Sequence, residues 1–566
     1  MRIPQAAVIV GLLATACVVQ TWVVAHAPLT ALDTVNFVGH AQLIERVGLS
    51  TAVREESAPP LYPLTILAAR QVAELFDVEI SWALAAQLAA AIPLVLCVLP
   101  VFALSRQVAD QTAAVAATML FIVMTQFARL GGDALSDSVH LLLFCTALAI
   151  IGRGLQSTTI RHQGAYCLVA GGCVSVALLA RAEACILLPI VMLAQVCISN
   201  ADRFTRSFAC GAALALGVLL TFVPLQGAMG VDRPSECFAR IVSTRGFVEE
   251  SPLNDPLMST ESHEATAAPV LADGRPMQFG RKDPTVSIRF RGLFSALMRF
   301  VTEFVQSVQY FVGLLALVGL WRGREYWWSR VAWLHGSCFV VYSTAVLGFA
   351  VLNGYLERRH LLPVVVVLLP WAGRGALECG AAVARWLSKH DPVKNPRAAG
   401  RQAAGSFPCR SNPQPDGLRL VENLAHLAPL AAVALASLAC LSTTLLPSHP
   451  GRTAHAQAAD WLLANNNSGA VLDTVGHTAL ATGRKTYRHE IAAAALADPE
   501  LQFLVIEQAE LSYDSRRAAT LRELVQQRGR QVATFSPPAG RAGPVVHVYQ
   551  WQPDRTALSS RSTYAR

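Results

Sequence analysis

"PLYPLTILAARQVAELF", residues 60–76, is the stretch on which the topology of this chain turns. It is apolar enough to suggest a membrane span, yet Arg70 and Glu74 lie inside it. On either side of it, runs of roughly 20 apolar residues recur, and each is long enough to cross a bilayer. Candidate spans fall at 5–25, 82–104, 111–128, 134–152, 165–180, 184–199, 207–227, 304–321, 331–352, 361–378 and 426–446. If 60–76 also spans, Arg106, the loop "WRGREYWWSR" (321–330) and the basic stretch 379–425 fall outside the cytoplasm. If it does not, all three fall inside, together with "GRGLQSTTIRH" (152–162) and "NADRFTR" (200–206). Cytoplasmic loops carry the excess of Lys and Arg, so the second arrangement is expected. Residues 60–76 then form a helix lying at the outer surface, and 26–80 is one long extracytoplasmic element.

Composition agrees with this class. The 566 residues are 53% hydrophobic and 15% charged, with a mean hydropathy of +0.41. Soluble chains carry about 25% charged residues. The expected fold is therefore a polytopic α-helical membrane protein of about eleven transmembrane helices. The net charge of +8 sits largely between spans, where it sets topology, and does not point to nucleic acid. Most of the 13 cysteines lie inside apolar runs, where they behave as small apolar side chains. No CxxC or Cys/His metal spacing occurs, and the tail after 447 has no cysteine to bridge.

At the N-terminus, Arg2, an apolar run and "AHA" (25–27) have the form of a signal peptide. The run from Ala6 to Ala25 is long for that role and suits an uncleaved first helix. With the N-terminus inside, the outer segments are 26–80, 129–133, 181–183, 228–303, 353–360 and the C-terminal tail. The Pro-, Gly-, Arg- and Ser-rich 379–425 reads as a flexible cytoplasmic linker. Residues 1–446 make a transmembrane domain, and 447–566 a soluble α/β domain. In that tail "HAQAADWLLANN" and "YDSRRAATLRELVQQRG" read as helices, and "GAVLDT", "PELQFLVIEQ", "RQVATFS" and "PVVHVYQW" as strands. Asp473 and His477 follow the first of these strands, as turn formers or as ligand contacts.

Four outer stretches carry charge close to the membrane. "DTVNFVGHAQLIERV" (33–47) reads as an interfacial amphipathic helix with Asp33 near its start, where an acid caps the helix or acts in chemistry. "QFARLGGDALSDSVHLLLF" (126–144) brings Arg129, Asp133 and Asp137 to the outer ends of two spans. "LLARAEACILLP" (178–189) interrupts an apolar run with Arg181 and Glu183, as a polar hairpin or a phosphate or sugar contact. "NGYLERRHLLP" (353–363) places Arg358, Arg359 and His360 outside, against the positive-inside pattern. An anionic ligand gives such charge a reason, and lipid headgroups give another.

Together these stretches resemble the membrane-embedded glycosyltransferases of the GT-C fold, nearest to the bacterial aminoarabinose transferase and protein O-mannosyltransferase family. The resemblance rests on an acid in the first outer loop, here in "DTVNFVGHAQLI", followed by "APPLYPLTILAAR", then "ARLGGDALSD", "LLARAEACILLP" and "RRHLLP". It covers roughly residues 1–200 and 350–370. It implies transfer of a sugar from a polyprenyl-phosphate-linked donor to a lipid, glycan or protein acceptor on the extracytoplasmic face of the cytoplasmic (inner) membrane. Asp33 takes the place of the catalytic acid, as general base in an inverting displacement. Arg358, Arg359, His360, Arg181 and Glu183 fall on the donor-phosphate side, and Asp133 or Asp137, with Arg129, takes the role of the second outer-loop acid. Many members carry a second acid directly beside the first and a histidine before the double proline. Here Thr34 and Val35 follow Asp33, and Ala58 precedes the prolines. The expectation is an enzyme with no metal and no cofactor. Two other classes fit the composition, a transporter or flippase for a lipid-linked substrate and a non-catalytic membrane assembly protein. Transporters favour internal repeats and midplane helix breaks. This chain shows no repeat and keeps its polar clusters at one face.

Overall fold

A computed structural model describes residues 4–27, 29–55, 59–198, 203–229, 293–353, 355–389, 416–446, 452–465, 469–487, 492–513, 516–538 and 543–552. Most of the expected outer loop 228–303 and of the linker 379–425 lies outside these residues, as does Ala58.

Helix α1 (Gln5–Ala25) is followed by three helices of the first loop, α2 (Leu32–Val47), α3 (Leu49–Glu55) and α4 (Leu61–Glu74). Gly48, at φ 84, lets the chain turn between α2 and α3. Pro60 precedes α4 and Pro63 lies in its first turn, where proline costs no hydrogen bond. The 14 residues of α4 extend about 21 Å, short of a hydrocarbon core of about 30 Å. It packs on α2 and on α5 (Trp82–Val108) with Tyr62 and Ile66 fully buried, and leaves Val72, Leu75 and Phe76 exposed.

The bundle continues with α6 (Gln111–Val123), α7 (Thr125–Asp133), α8 (Asp137–Leu155), α9 (Ile160–Leu178), α10 (Leu187–Ile198), α11 (Arg203–Ala228), α12 (Leu293–Ser307), α13 (Tyr310–Arg322), α14 (Arg330–Asn353), α15 (Leu362–Lys389) and α16 (Asp416–Thr444). Polar caps set two starts. Ser81 accepts from the Leu84 amide (3.2 Å) and Asp110 from the Ala113 amide (2.8 Å). Among the described residues, seven helices are long and apolar enough to span, namely α1, α5, α8, α11, α14, α15 and α16. The pairs α6–α7, bent by 45°, and α12–α13, bent by 88°, bring the number to nine if each is one span. α9 and α10 occupy the places of the other two expected spans. They differ from the seven because α9 opens with Arg161 and His162, and the 12 residues of α10 reach only about 18 Å.

Small residues let the helices close on one another. A Cβ on Gly319 of α13 would strike the Trp371 carbonyl, and one on Gly375 of α15 the Leu315 carbonyl. Gly171 and Gly217 make the same kind of approach between α9 and α11.

The C-terminal region folds as α17 (Thr453–Ala464), β1 (Ala470–Asp473), α18 (His477–Thr482), β2 (Thr486–Tyr487), α19 (Ala492–Ala497), β3 (Leu501–Glu507), α20 (Gln508–Ser512), α21 (Arg516–Arg528), β4 (Gly529–Phe535) and β5 (Val546–Trp551). The sheet order is β2-β1-β3-β5-β4, parallel across β2-β1-β3 and antiparallel across β3-β5-β4. Alternate residues of β3 face opposite helices: Phe503 and Val505 join Ala458 and Leu462 of α17, while Leu504 and Ile506 join Leu521 and Leu524 of α21. α18 packs against α2 and α5, so the α/β domain rests on the first loop of the bundle.

Candidate active site

The start of α2 is fixed from a distance. The Ala31 amide donates to the Asp133 carbonyl (3.0 Å), and Thr34 Oγ1 donates to the carbonyls of Asp133 (2.9 Å) and Ala134 (3.1 Å). α7 ends at Asp133, with Ala134 left-handed at φ 55, so its last carbonyls turn toward the first loop. Thr34, fully buried, thus joins the first loop to the 126–144 stretch, and Asp33 beside it stays 44% exposed at its side chain. Asp33 does not cap α2. Its Oδ2 accepts from Arg359 Nη1 at 2.6 Å.

Arg359 comes from a 3-10 turn, Arg358–Leu361, at the foot of α15. A capping box between Glu357 and His360 shapes this turn, with His360 Nδ1 accepting from the Glu357 amide (3.4 Å). The turn sends its two arginines apart. Arg359 meets Asp33 and, at 2.7 Å, Glu357. Arg358 donates to Glu303 (3.1 Å) and Gln306 on α12. His360 packs edge-on to Phe349 and beside Tyr355.

Arg181 holds the neighbouring corner. Its Nη1 donates to Asp137 Oδ1 at 2.5 Å and its Nη2 to Glu183 Oε1 at 2.7 Å. Burial opposes its charge, but the Asp137 and Glu183 carboxylates outweigh burial and hold its pKa well above the usual arginine range. Asp133 is buried one turn after Arg129, and Arg129 Nη2 donates to the Thr443 carbonyl (3.4 Å). Every expected site residue therefore lies at one end of the bundle. At the other end, Arg330 donates to the carbonyls of Leu155 (3.2 Å) and Ser157 (2.8 Å), and Arg374 pairs with Glu325 (2.7 Å). These belong to the loops expected on the cytoplasmic side.

Three partners were not anticipated from sequence: Glu303, Glu357 and Arg452. Arg452, just before α17, donates to the Thr30 carbonyl at 2.8 Å. A signal for it existed, since it follows the last span on the side expected to be outer, where it runs against the positive-inside pattern as Arg358 and Arg359 do. Glu303 and Glu357 gave no signal beyond proximity to span ends. Among the described residues, no three His, Cys, Asp or Glu side chains converge as a metal-ligand set. In the α/β domain, Asp473 accepts from the amides of Val475 (3.0 Å), Gly476 (2.8 Å) and Thr478 (2.7 Å), which makes it a turn former at the start of α18.

The chain is an integral, multi-pass helical protein with charged groups gathered at one end, and its fold is similar to that of ArnT. Among solved structures, the chain matches apo ArnT from Cupriavidus metallidurans with a TM-score of 0.53 at 13% identity, over 96% of this chain and 97% of that one. It matches the same protein bound to undecaprenyl phosphate equally well, with a TM-score of 0.53 and 13% identity over 97% and 98%. The archaeal oligosaccharyltransferase AglB from Archaeoglobus fulgidus aligns with a TM-score of 0.48 and 14% identity, over 95% of this chain and 74% of that one. No family model matches the sequence, and no curated protein does.

Proposed function

We propose that this chain transfers a sugar from a polyprenyl-phosphate-linked donor to an acceptor lipid, glycan or protein at the extracytoplasmic face of the cytoplasmic membrane. The observation that carries the reading is the 2.6 Å contact of Asp33 with Arg359. It joins the acid of the first loop to an arginine 326 residues away, at the charged end of an ArnT-like fold.

Asp33 serves as general base. Its carboxylate takes the proton of the acceptor hydroxyl or amine as that group attacks the anomeric carbon. The bond from the anomeric carbon to the phosphate oxygen breaks, the configuration inverts, and polyprenyl phosphate leaves with the electron pair. Guanidinium groups at this end stabilise the charge that develops on the phosphate. Arg359 is the nearest to the base, and Arg358, Arg181, Glu183 and His360 frame the donor side. Asp137 and Glu183 fix Arg181, and Asp133 presents its carbonyl to the loop that holds Asp33. In this reading the donor lies with its lipid in the membrane and its sugar toward Asp33.

The test is glycan transfer in membranes from cells carrying Asp33→Ala or Arg359→Ala. Loss of a general base lowers the rate by about 10²–10⁴-fold, and the expected result is a loss in that range for Asp33→Ala and a clear loss for Arg359→Ala. Full transfer by both variants removes the assignment. Mass spectrometry of the glycans missing after deletion identifies sugar and acceptor.

A further inference from the structure

The end of the bundle opposite Asp33 carries a surface that sugar transfer does not use. It is the connection between α13 and α14, "WRGREYWWSR", residues 321–330. This connection is a built turn. Arg324–Tyr326 form a 3-10 turn, in which the Tyr326 amide donates to the Gly323 carbonyl (2.8 Å). The Ser329 amide donates to the Tyr326 carbonyl (2.8 Å), and Trp327 Nε1 reaches back to the Leu320 carbonyl at 3.0 Å. Gly323 is packed so closely on α15 that a Cβ there would stand 3.0 Å from the Trp371 ring.

Two features of the turn face outward. Trp321 and Trp328 are 69% and 79% exposed. Indoles of membrane proteins gather at headgroup level, where the ring meets acyl chain and the N–H meets water. The second feature is charge. Glu325 is the one acid of the stretch, and Arg374 of α15 draws it off at 2.7 Å while lying over Tyr326 at 4.6 Å. Arg322 and Arg324 are exposed and have neither a hydrogen bond nor an ion pair among the described residues. Two positions apart in the chain, their Cα atoms are at most about 7 Å from each other. Other arginines of this end are engaged. Arg106 donates to the Ala109 carbonyl (3.4 Å), Arg153 to Gln156 (3.2 Å) and Arg330 to the carbonyls of Leu155 and Ser157. Charge bias between spans asks only for net positive charge here. The turn does more, because it removes its own acid and leaves two guanidiniums beside two indoles. Guanidinium matches a phosphate in shape and charge.

We propose that this turn is a docking surface for an anionic phospholipid of the adjoining leaflet. Arg322 and Arg324 take the headgroup phosphate, and Trp321 and Trp328 take the glycerol and the upper acyl chains. The inference is independent of the sugar-transfer reading and rests on this end of the bundle lying at a membrane surface.

The test measures binding of dioctanoyl phosphatidylglycerol, dioctanoyl phosphatidylcholine and glycerol phosphate to the full-length protein in detergent, by native mass spectrometry. Arg322→Gln and Arg324→Gln are each expected to lower the preference for phosphatidylglycerol over phosphatidylcholine by about fivefold, and the double variant by more than either. Arg153→Gln removes a charge from the same end and is expected to keep the wild-type preference. Trp328→Ala is expected to weaken both lipids alike. Wild-type preference in the double variant overturns the surface. An equal fall in Arg153→Gln also overturns it, by making net charge the cause. Glycerol phosphate bound as tightly as phosphatidylglycerol, and as sensitive to Arg322→Gln, overturns it in favour of a free-anion site. A wild-type protein that does not distinguish the two lipids overturns it as well.

Discussion

Asp33 sits two residues past the extended backbone of Ala31, and no side chain caps that end of α2. An acid here complements the helix dipole from within the first turn, but its close partner is Arg359. The acid itself was legible in the sequence, since it is the single acid soon after the first span. Its partner was not, because local spacing carries no information about a residue in a loop 326 positions on. His40, one face further along α2, makes a separate prediction. It is buried, neither ring nitrogen has a hydrogen-bond partner among the described residues, and burial lowers its pKa from 6.5 to about 4. The folded protein thus holds it neutral where the unfolded chain takes up a proton. Its contribution to stability is present above pH 6.5 and lost as pH falls toward 4. Thermal unfolding of His40→Gln should show a shallower loss of Tm over that acid range than wild type. An identical pH slope would show that His40 does not titrate as described.

At the scale of elements, the contact between α2 and the end of α7 decides where Asp33 stands. Thr34→Val keeps the shape of the side chain and removes both hydrogen bonds to the 133–134 carbonyls. The Asp133 carbonyl keeps the Ala31 amide, but the Ala134 carbonyl loses the Thr34 hydroxyl; a lost buried hydrogen bond costs about 1–3 kcal/mol, so Tm should fall, and transfer should fall with it as Asp33 loses its placement. Unchanged Tm and transfer would show that the tie is dispensable. The interface of α13 and α15 is a contact of a different kind. A Leu at Gly319 has no room against the Trp371 carbonyl, so Gly319→Leu must force the helices apart or prevent folding. Much reduced monodisperse protein is the expected outcome in size-exclusion chromatography. The sequence showed the helices of both contacts, because apolar runs of span length are a local property. It did not show the bends of 45° and 88°, which are a matter of how neighbouring helices pack. In the α/β domain, β2 and α18 were also missed. A strand of two residues and a helix of six give too little periodicity to read; β2 is held by pairing with β1, and α18 starts on the turn that Asp473 forms.

For the whole molecule, the arrangement predicts sidedness. Arg324 stands at the end opposite Asp33, between α13 and α14, whereas Glu357 stands beside Arg359. Cysteines placed at 324 and 357 should respond in opposite ways to an impermeant thiol reagent in intact spheroplasts. Labelling above the native-cysteine background is expected at 357 and not at 324, and the reverse pattern would invert the proposed orientation.

By itself the sequence determined that the chain is a multi-pass helical membrane protein with an α/β region at its C-terminus. Apolar run length, charge bias between spans and period-two strands are properties of neighbouring residues. It also reached the four charged stretches, since charge beside a membrane is costly enough to be conspicuous. The tertiary structure alone decided how those stretches combine. It paired Asp33 with Arg359 and Arg181 with Asp137, left Arg129 and Arg452 on backbone carbonyls, and laid the α/β domain on the first loop. Segments like "PLYPLTILAARQVAELF" can announce whether they are long enough to cross a bilayer. Which distant charge each loop meets depends on helix packing, and packing is set by contacts between residues that lie far apart in the chain.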